Sequence, residues 1–296
     1  MMQTETFFDL FLTELKELPE LYHYYKFHDD PGKLEFRKSY FIQRLNYIEH
    51  QVRQQIESGI KHPKIWDCGC GYGTTCLFLA MNGIASYGTT LEFYWPFIEQ
   101  RKKYWSAYGN SELFQAGYEN VMDQSPEKDS IDIIILQDTL HHLEPIDQAL
   151  NTFRQVLRHH GILIGVEENG SNIVQNLKLY KQRGNRRIIT FWDETLQKEI
   201  TMGNENIRSI EKWTALLSKH HLKIIPESTE FIRIFPPAMY KGRNAAQMAR
   251  RESQIQSTFL KKYFFFGINF IARKMDVWWS FKDQGSTKKW IPDLLF

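Results

Sequence analysis

The chain has little cysteine. Its three thiols, Cys68, Cys70 and Cys76, fall in one short stretch of 296 residues. That placement excludes a disulfide framework, and Cys68 and Cys70, one residue apart in a turn, are badly placed to bridge each other. No histidine or further cysteine stands near them at metal-ligand spacing. The three therefore read as small side chains of a tightly packed loop, and no metal is expected. A chain without disulfides is expected in the cytoplasm. Long apolar runs are also missing. The most apolar stretch, 264–272, contains Asn269 and falls short of the ~18 residues of a membrane span. The opening MMQTETFFDLF carries acid and no basic segment, so it does not read as a secretory signal. Neither sign of charge is in excess: 37 Lys and Arg face 35 Asp and Glu, a net +2 that argues neither for nor against nucleic acid. Several catalytic signatures are absent. There is no [DN]-P-P-[YF] after the fourth predicted strand, no Pro-Cys nucleophile, no G-x-S-x-G and no H-E-x-x-H. The first is the tetrapeptide with which amino-methylating nucleic-acid enzymes grip a flipped base, and without it a nucleic-acid partner is not expected. No internal repeat and no low-complexity linker occurs, so one compact domain with insertions is expected.

What the chain does have is a 42% hydrophobic composition, enough for one sizeable core plus an appended part. It also has one stretch that organises the rest, Lys64 to Ala80, KIWDCGCGYGTTCLFLA. A short apolar run ends in Asp67. Gly69, Gly71 and Gly73 follow at alternate positions, and a helical pattern runs from Thr74 to Met81 before Asn82-Gly83. Strand, tight loop, helix is the form of a nucleotide-binding crossover. Glycines there admit backbone N–H groups close to a ligand, and the helix N-terminus adds partial positive charge.

Around it, strands and helices alternate. Residues 1–60 read as an N-terminal helical cap, with one helix at 7–18 and another through Phe41, Leu45, Ile48, Val52 and Ile56. Asp29-Asp30-Pro31-Gly32 breaks the chain between them. The connecting LYHYYKFH reads as a lid over a site or a packed connector. Strands are expected at 84–90, 112–115, 131–136 and 162–166, and helices at 94–104 and 146–157, the last stopped by His160-Gly161. Such alternation predicts an α/β fold: a doubly wound, mostly parallel seven-stranded sheet with N-terminal helices and an inserted cap. Its core would span 61–274. Cap insertions are expected at about 168–208, with a hairpin of 188–191 against 199–202, and at 235–262, where 241–262 reads as one basic helix. A strand or two over 222–231 and a final strand at 264–272 complete the sheet, and 275–296 forms a tail.

The glycine spacing discriminates between cofactors. The dinucleotide fingerprint G-x-G-x-x-G, counted from Gly69, puts Thr74 where glycine or alanine belongs. The pattern here is D-x-G-x-G-x-G, and it resembles the first motif of class I S-adenosylmethionine-dependent methyltransferases. The likeness extends over roughly residues 60–170. Gly88-Thr89-Thr90-Leu91-Glu92 stands where that family carries a ribose-binding acid, and a threonine there looks like the variant of cyclopropane-fatty-acid-synthase-like members. Ala116-Gly117-Tyr118-Glu119-Asn120-Val121 matches the end of the adenine motif without its Asp. Ile131 to Leu143 is similar to the family's strand-four segment ending LHHL. Gln155 to Ile164 resembles RVLKPGGxLxI, with His159-His160-Gly161 in place of Pro-Gly-Gly.

The resemblance implies S-adenosylmethionine as cofactor. It implies contacts to the methionine end from Asp67, Gly69, Cys70, Gly71 and Gly73, to ribose from Thr90 or Glu92 beside Leu91, and to adenine from Tyr118 or Glu119. Gln137 joins them from the end of strand four. His141 or His142 is the candidate general base, since histidine titrates near neutrality, and a structural role for the pair is the competing reading. The expected activity is methyl transfer, chiefly to oxygen, on a small or medium-sized acceptor. Tyr22, Tyr24, Tyr25, Tyr180, Phe191, Trp192 and Tyr240 are candidates for an apolar or aromatic pocket. Two rivals are an NAD-dependent oxidoreductase, with Glu92 about 20 residues past Gly71 as ribose acid, and a non-catalytic cofactor-binding partner protein.

Overall fold

A computed structural model describes residues 1–25, 31–91 and 95–275 of the chain. Seven strands form one sheet: β1 (Ile65–Cys68), β2 (Ser86–Thr90), β3 (Phe114–Tyr118), β4 (Ile131–Gln137), β5 (Leu157–Glu168), β8 (Leu222–Ile232) and β9 (Gly267–Lys274). Their spatial order is β3-β2-β1-β4-β5-β9-β8. β9 runs antiparallel to both its neighbours, and the other pairings are parallel. A separate hairpin is made by β6 (Ile188–Asp193) and β7 (Lys198–Gly203). This is the doubly wound, mostly parallel sheet the alternation predicts.

The strands are apolar runs because both faces are covered. On β4, Ile134 and Leu136 pack with Leu150 and Phe153 of α6 (Ile146–Val156) and Trp213 and Leu217 of α8 (Ile210–Lys219). Ile133 and Ile135 face the other way, toward Ile48 and Val52 of α3 (Pro31–Glu57) and Leu79 of α4 (Thr74–Met81). A third cluster joins Phe7, Phe8 and Phe11 of α1 (Thr4–Glu17) to Phe78 and to Ile98 and Trp105 of α5 (Phe97–Trp105). Arg101 of α5 lies fully buried at its centre. It donates Nε to Glu14 Oε1 (2.7 Å), Nη2 to Glu14 Oε2 (2.9 Å), and Nη1 to the Tyr72 carbonyl (2.6 Å) and Thr74 Oγ1 (2.9 Å). One guanidinium thus ties the first helix of the chain to the glycine loop.

The stretch LYHYYKFH, read as a lid or a packed connector, is helical over α2 (Pro19–Tyr25), where Tyr25 OH meets Thr74 Oγ1 at 3.1 Å, and its residues 26–28 lie outside the described residues. Three sequence expectations need correction. β3 starts at Phe114 because Asn110 accepts from Glu112 N and closes a 3₁₀ turn over 111–113. β5 starts at Leu157, not Ile162. Ile131 pairs with Leu157 and Ile133 with Ile162, and the surplus residues bulge through His160 at φ 63°. The basic helix is two, α9 (Ala245–Ser253) and α10 (Thr258–Phe264), each started by its own cap, Asn244 and Ser257. The remaining helix, α7 (Ile173–Arg183), follows β5. No helix among the described residues is long and apolar enough to cross a membrane. Of the expected tail only Met275 falls within those residues.

Candidate functional site

The loop from β1 to α4 has Gly69, Gly71 and Gly73 at φ 87°, 57° and 76°, backbone that favours glycine. Their surroundings differ. A Cβ on Gly69 would lie 2.3 Å from Thr139 Oγ1, and one on Gly73 2.3 Å from the Phe114 ring. A Cβ on Gly71 would meet nothing within 4 Å, because this residue borders a cleft. The Thr89 carbonyl accepts from the N–H of both Gly69 (2.8 Å) and Cys70 (2.9 Å), which pins the loop to β2. At the start of the loop, Asp67 is buried. Its Oδ2 accepts from the Cys76 thiol at 3.3 Å, and its Oδ1 has no hydrogen-bond partner. Burial pushes this carboxyl up to about 7, against the lowering effect of the Cys76 hydrogen bond.

The cleft has a volume of about 290 Å³ and lies past the carboxyl ends of β1, β2 and β4. Cys68, Gly69 and Gly71 floor it. Thr90 and Leu91 line one side with Glu119, while Asp138 and His142 border it beyond β4. Glu92 lies outside the described residues. Tyr118 does not border the cleft; its hydroxyl donates to Asp193 Oδ2 (2.7 Å) and so anchors the hairpin. Glu119 Oε1 accepts from Tyr87 OH at 2.5 Å. Gln137 accepts from Thr75 Oγ1 at 3.1 Å and is also away from the cleft lining. Of the candidate pocket aromatics, only Phe191 lines the cleft. Tyr240 is buried in the core, and Tyr180 and Trp192 are exposed.

The two histidines occupy a 3₁₀ turn over Leu140–His142 and have different surroundings. His141 is buried, with Nδ1 2.5 Å from Glu167 Oε2. Burial alone would depress it. The charge and hydrogen bond of Glu167, with Asp138 and Glu205 beyond, outweigh that and push it up to about 9. Glu167 also accepts through Oε1 from the N–H of Thr139 (3.0 Å) and Leu140 (2.7 Å). His142 borders the cleft and points Nδ1 at the Gly203 carbonyl, 3.0 Å away. A carbonyl only accepts, so Nδ1 carries the proton and Nε2 of the neutral ring bears the lone pair.

Two contributors escaped sequence reasoning. Glu167 holds the strand-four turn; an acid closing a buried apolar strand was its available signal. Arg44 of α3 pairs with Asp138 and brings a helix from far upstream to the cleft rim, which no local pattern announces. The β6–β7 hairpin, expected within the cap insertion, closes the outer side with the candidate Phe191 and with Ile200, Thr201 and Met202. Asn206 N donates to the His141 carbonyl (3.0 Å), and Gly203 packs so near that carbonyl that a Cβ would come within 2.4 Å of it.

Residues 66–165 match the family described as a methyltransferase domain. Among solved structures, the fold is similar to that of a candidate sarcosine dimethylglycine methyltransferase from Galdieria sulphuraria, at 14% identity and a TM-score of 0.53 over 79% of this chain and 86% of that one. It is also similar to the YcgJ protein from Bacillus subtilis, at 14% identity and a TM-score of 0.50 over 77% of this chain and 99% of that one. No curated protein matches the chain by sequence.

Proposed function

We propose that this chain, a class I S-adenosylmethionine-dependent methyltransferase by its domain at residues 66–165, methylates an oxygen of a small or medium-sized acceptor with an apolar or aromatic body. The observation that carries this reading is the outer wall of the cleft. Leu143, Phe191, Ile200 and Met202 make it apolar, and His142 stands among them as a polar side chain. An apolar acceptor is held by such a wall and its reacting hydroxyl is turned toward the imidazole.

Two features suit the cofactor's methionine end. Asp67 offers a buried carboxylate oxygen without a partner, and a buried polar atom in that state calls for a bound group. Gly71 leaves open space where any side chain would intrude. Thr90 and Leu91, next to Glu92, serve the ribose side, and Glu119 the adenine side. Gln137 and Tyr118 support the strand ends that carry these groups. Bound there, S-adenosylmethionine supplies a methyl group already activated for in-line displacement. The protein positions the acceptor and excludes water. His142 Nε2 accepts the hydroxyl proton, while His141, locked to Glu167, is a positioning residue. We read 168–208 as a substrate cap and 1–60 as a brace behind the loop. The 235–262 segment packs on α3 through Ala245 N to Glu35 and Gln43 to Glu252, away from the cleft lining.

Calorimetric titration with S-adenosylhomocysteine and NAD tests the cofactor, and incubation of the enzyme with isotope-labelled methyl donor and a metabolite extract tests the acceptor. The expected outcome is S-adenosylhomocysteine binding without NAD binding, and label on the oxygen of an apolar hydroxy compound. Label on nitrogen or carbon overturns the oxygen assignment. Cofactor binding with no labelled product favours a non-catalytic partner protein.

A further inference from the structure

We infer that His141, His142 and Glu205 form a binding site for a first-row divalent cation of the zinc class. One ring nitrogen from each of His141 and His142 and a carboxylate oxygen of Glu205 all lie within 4.8 Å of one another. Glu205 Oε2 is 3.7 Å from His141 Nε2, and Glu205 Oε1 is 3.9 Å from His142 Nε2. Tetrahedral zinc with bonds of about 2.0–2.1 Å spaces its ligand atoms about 3.3 Å apart, so contractions of about 0.4–0.6 Å between Glu205 and each ring, and of at most about 1.5 Å between any two ligand atoms, close the site. Room for them exists: the Glu205 side chain is 40% exposed and that of His142 32%.

The stronger argument is how the rings are held. A metal-bound histidine needs its far nitrogen engaged by an acceptor, which fixes the tautomer and aims the lone pair. Both rings here meet that condition. His141 Nδ1 faces the Glu167 carboxylate at 2.5 Å, and His142 Nδ1 faces the Gly203 carbonyl at 3.0 Å. Each Nε2 is thereby directed to one carboxylate, from a loop 60-odd residues away in sequence. Glu205 holds φ 56°, a left-handed backbone unusual outside glycine, and its own carbonyl is fixed by Arg183 Nη2 (3.1 Å). Glu167 and Asp138 add negative charge around the rings. Two imidazoles and one carboxylate suit zinc, iron(II), cobalt or nickel and do not suit magnesium or calcium. Because His142 borders the cleft, the remaining coordination positions fall to water or to an oxygen of the acceptor. That last placement rests on the methyltransferase reading, whereas the ligand set stands without it. With the cation bound, His142 Nε2 is a ligand, so its role as proton acceptor belongs to the metal-free protein. Absence of metal-ligand spacing among the cysteines gave no hint of this cluster.

The test is titration of chelator-stripped protein with Zn²⁺ and Co²⁺, with cobalt's visible absorption reporting its ligands, and S-adenosylhomocysteine titrated in parallel. One equivalent of either metal is expected to bind, uncontested by excess Mg²⁺. Glu205→Gly removes the ligand and relieves the left-handed backbone, so this variant stays folded and binds Co²⁺ at least about 10–100-fold more weakly, with S-adenosylhomocysteine affinity unchanged. His142→Gln weakens Co²⁺ to a similar degree. Failure of the wild type to take up one equivalent, or wild-type Co²⁺ binding by Glu205→Gly, overturns the inference. If Co²⁺ binds as expected and S-adenosylhomocysteine does not, the metal site stands and the methyltransferase reading falls.

Discussion

Asp67 carries a charge where charge is costly. Its carboxyl titrates at about 7 in the fold, against 3.8 for the ordinary value, because burial disfavours the ion. A folded value above the unfolded one means that this residue's contribution is complete below pH 4 and is lost as pH rises through 7, a change of about 4 kcal/mol in the ligand-free protein. On the proposed reading, a cationic ammonium at Oδ1 reverses the balance. Binding of S-adenosylhomocysteine at pH 6 is therefore expected to release close to one proton, read by calorimetry in buffers of different ionisation enthalpy. Asp67→Asn should abolish the release and weaken binding by about 10–100-fold, the worth of a charged hydrogen bond. An unchanged affinity in that variant would remove Asp67 from the site. The alternating glycines were legible in the sequence, but not their separate reasons. Gly69 and Gly73 are demanded by Thr139 and Phe114, residues brought alongside only by the sheet, and Gly71 alone faces open space. Likewise the His pair reads as one motif in sequence, while the fold buries His141 and leaves His142 at the cleft.

The hairpin β6–β7 was legible as an element and, through Phe191, as part of the cap, while its docking was not. Its alternation and turn residues are local, so they appear in sequence. Its docking depends on the approach of Gly203 to the His141 carbonyl, of Asn206 N to the same oxygen, and of Asp193 to Tyr118. None of these has a sequence period. Gly203→Ala puts a methyl group 2.4 Å from a backbone oxygen, which cannot give as a side-chain end would. A loss of about 1–3 kcal/mol is expected. Hydrogen exchange should locate it: faster across 188–206, unchanged in β1 and β4. Unaltered protection in the hairpin would show that the approach does not hold it. The start of β5 turns on a bulge set by its partner strand β4, and the break between α9 and α10 on the local caps Asn244 and Ser257; the hydrophobic period is blind to both.

Long-range polar ties join distant parts of the molecule, the Arg101–Glu14 pair among them. Arg101 and Glu14 are both fully buried and each satisfies the other. Glu14→Gln leaves the guanidinium without its counter-charge, and a loss of about 3–5 kcal/mol is expected in urea unfolding. Combining Glu14→Leu with Arg101→Met does not restore the wild type, because Arg101 also serves the Tyr72 carbonyl and Thr74. The single Glu14→Gln variant should nevertheless be less stable than that double variant. An equal or smaller loss in the single variant would mean that water reaches the site and the pair is not closed. The alternation of strands and helices made the sheet legible at this scale, since each strand's apolar run follows from being covered on both faces. The bracing of the glycine loop by α1 was not, since its signal is a single acid and a single arginine on helices far apart in the chain.

The order of the sheet has a consequence for synthesis. β9 sits between β5 and β8, so β8 has no place in the sheet until β9 arrives. A growing chain on the ribosome makes about 100 residues between the end of β5 and the start of β9, which takes about 5–20 s at ordinary elongation rates. For that interval β5 is an open, apolar edge, ready to pair with any extended segment nearby. Emerging chains on neighbouring ribosomes of one messenger present the same edge at the same moment. The protein's yield should therefore respond to translation speed downstream of residue 168, and to chaperone supply, more than its finished stability would suggest.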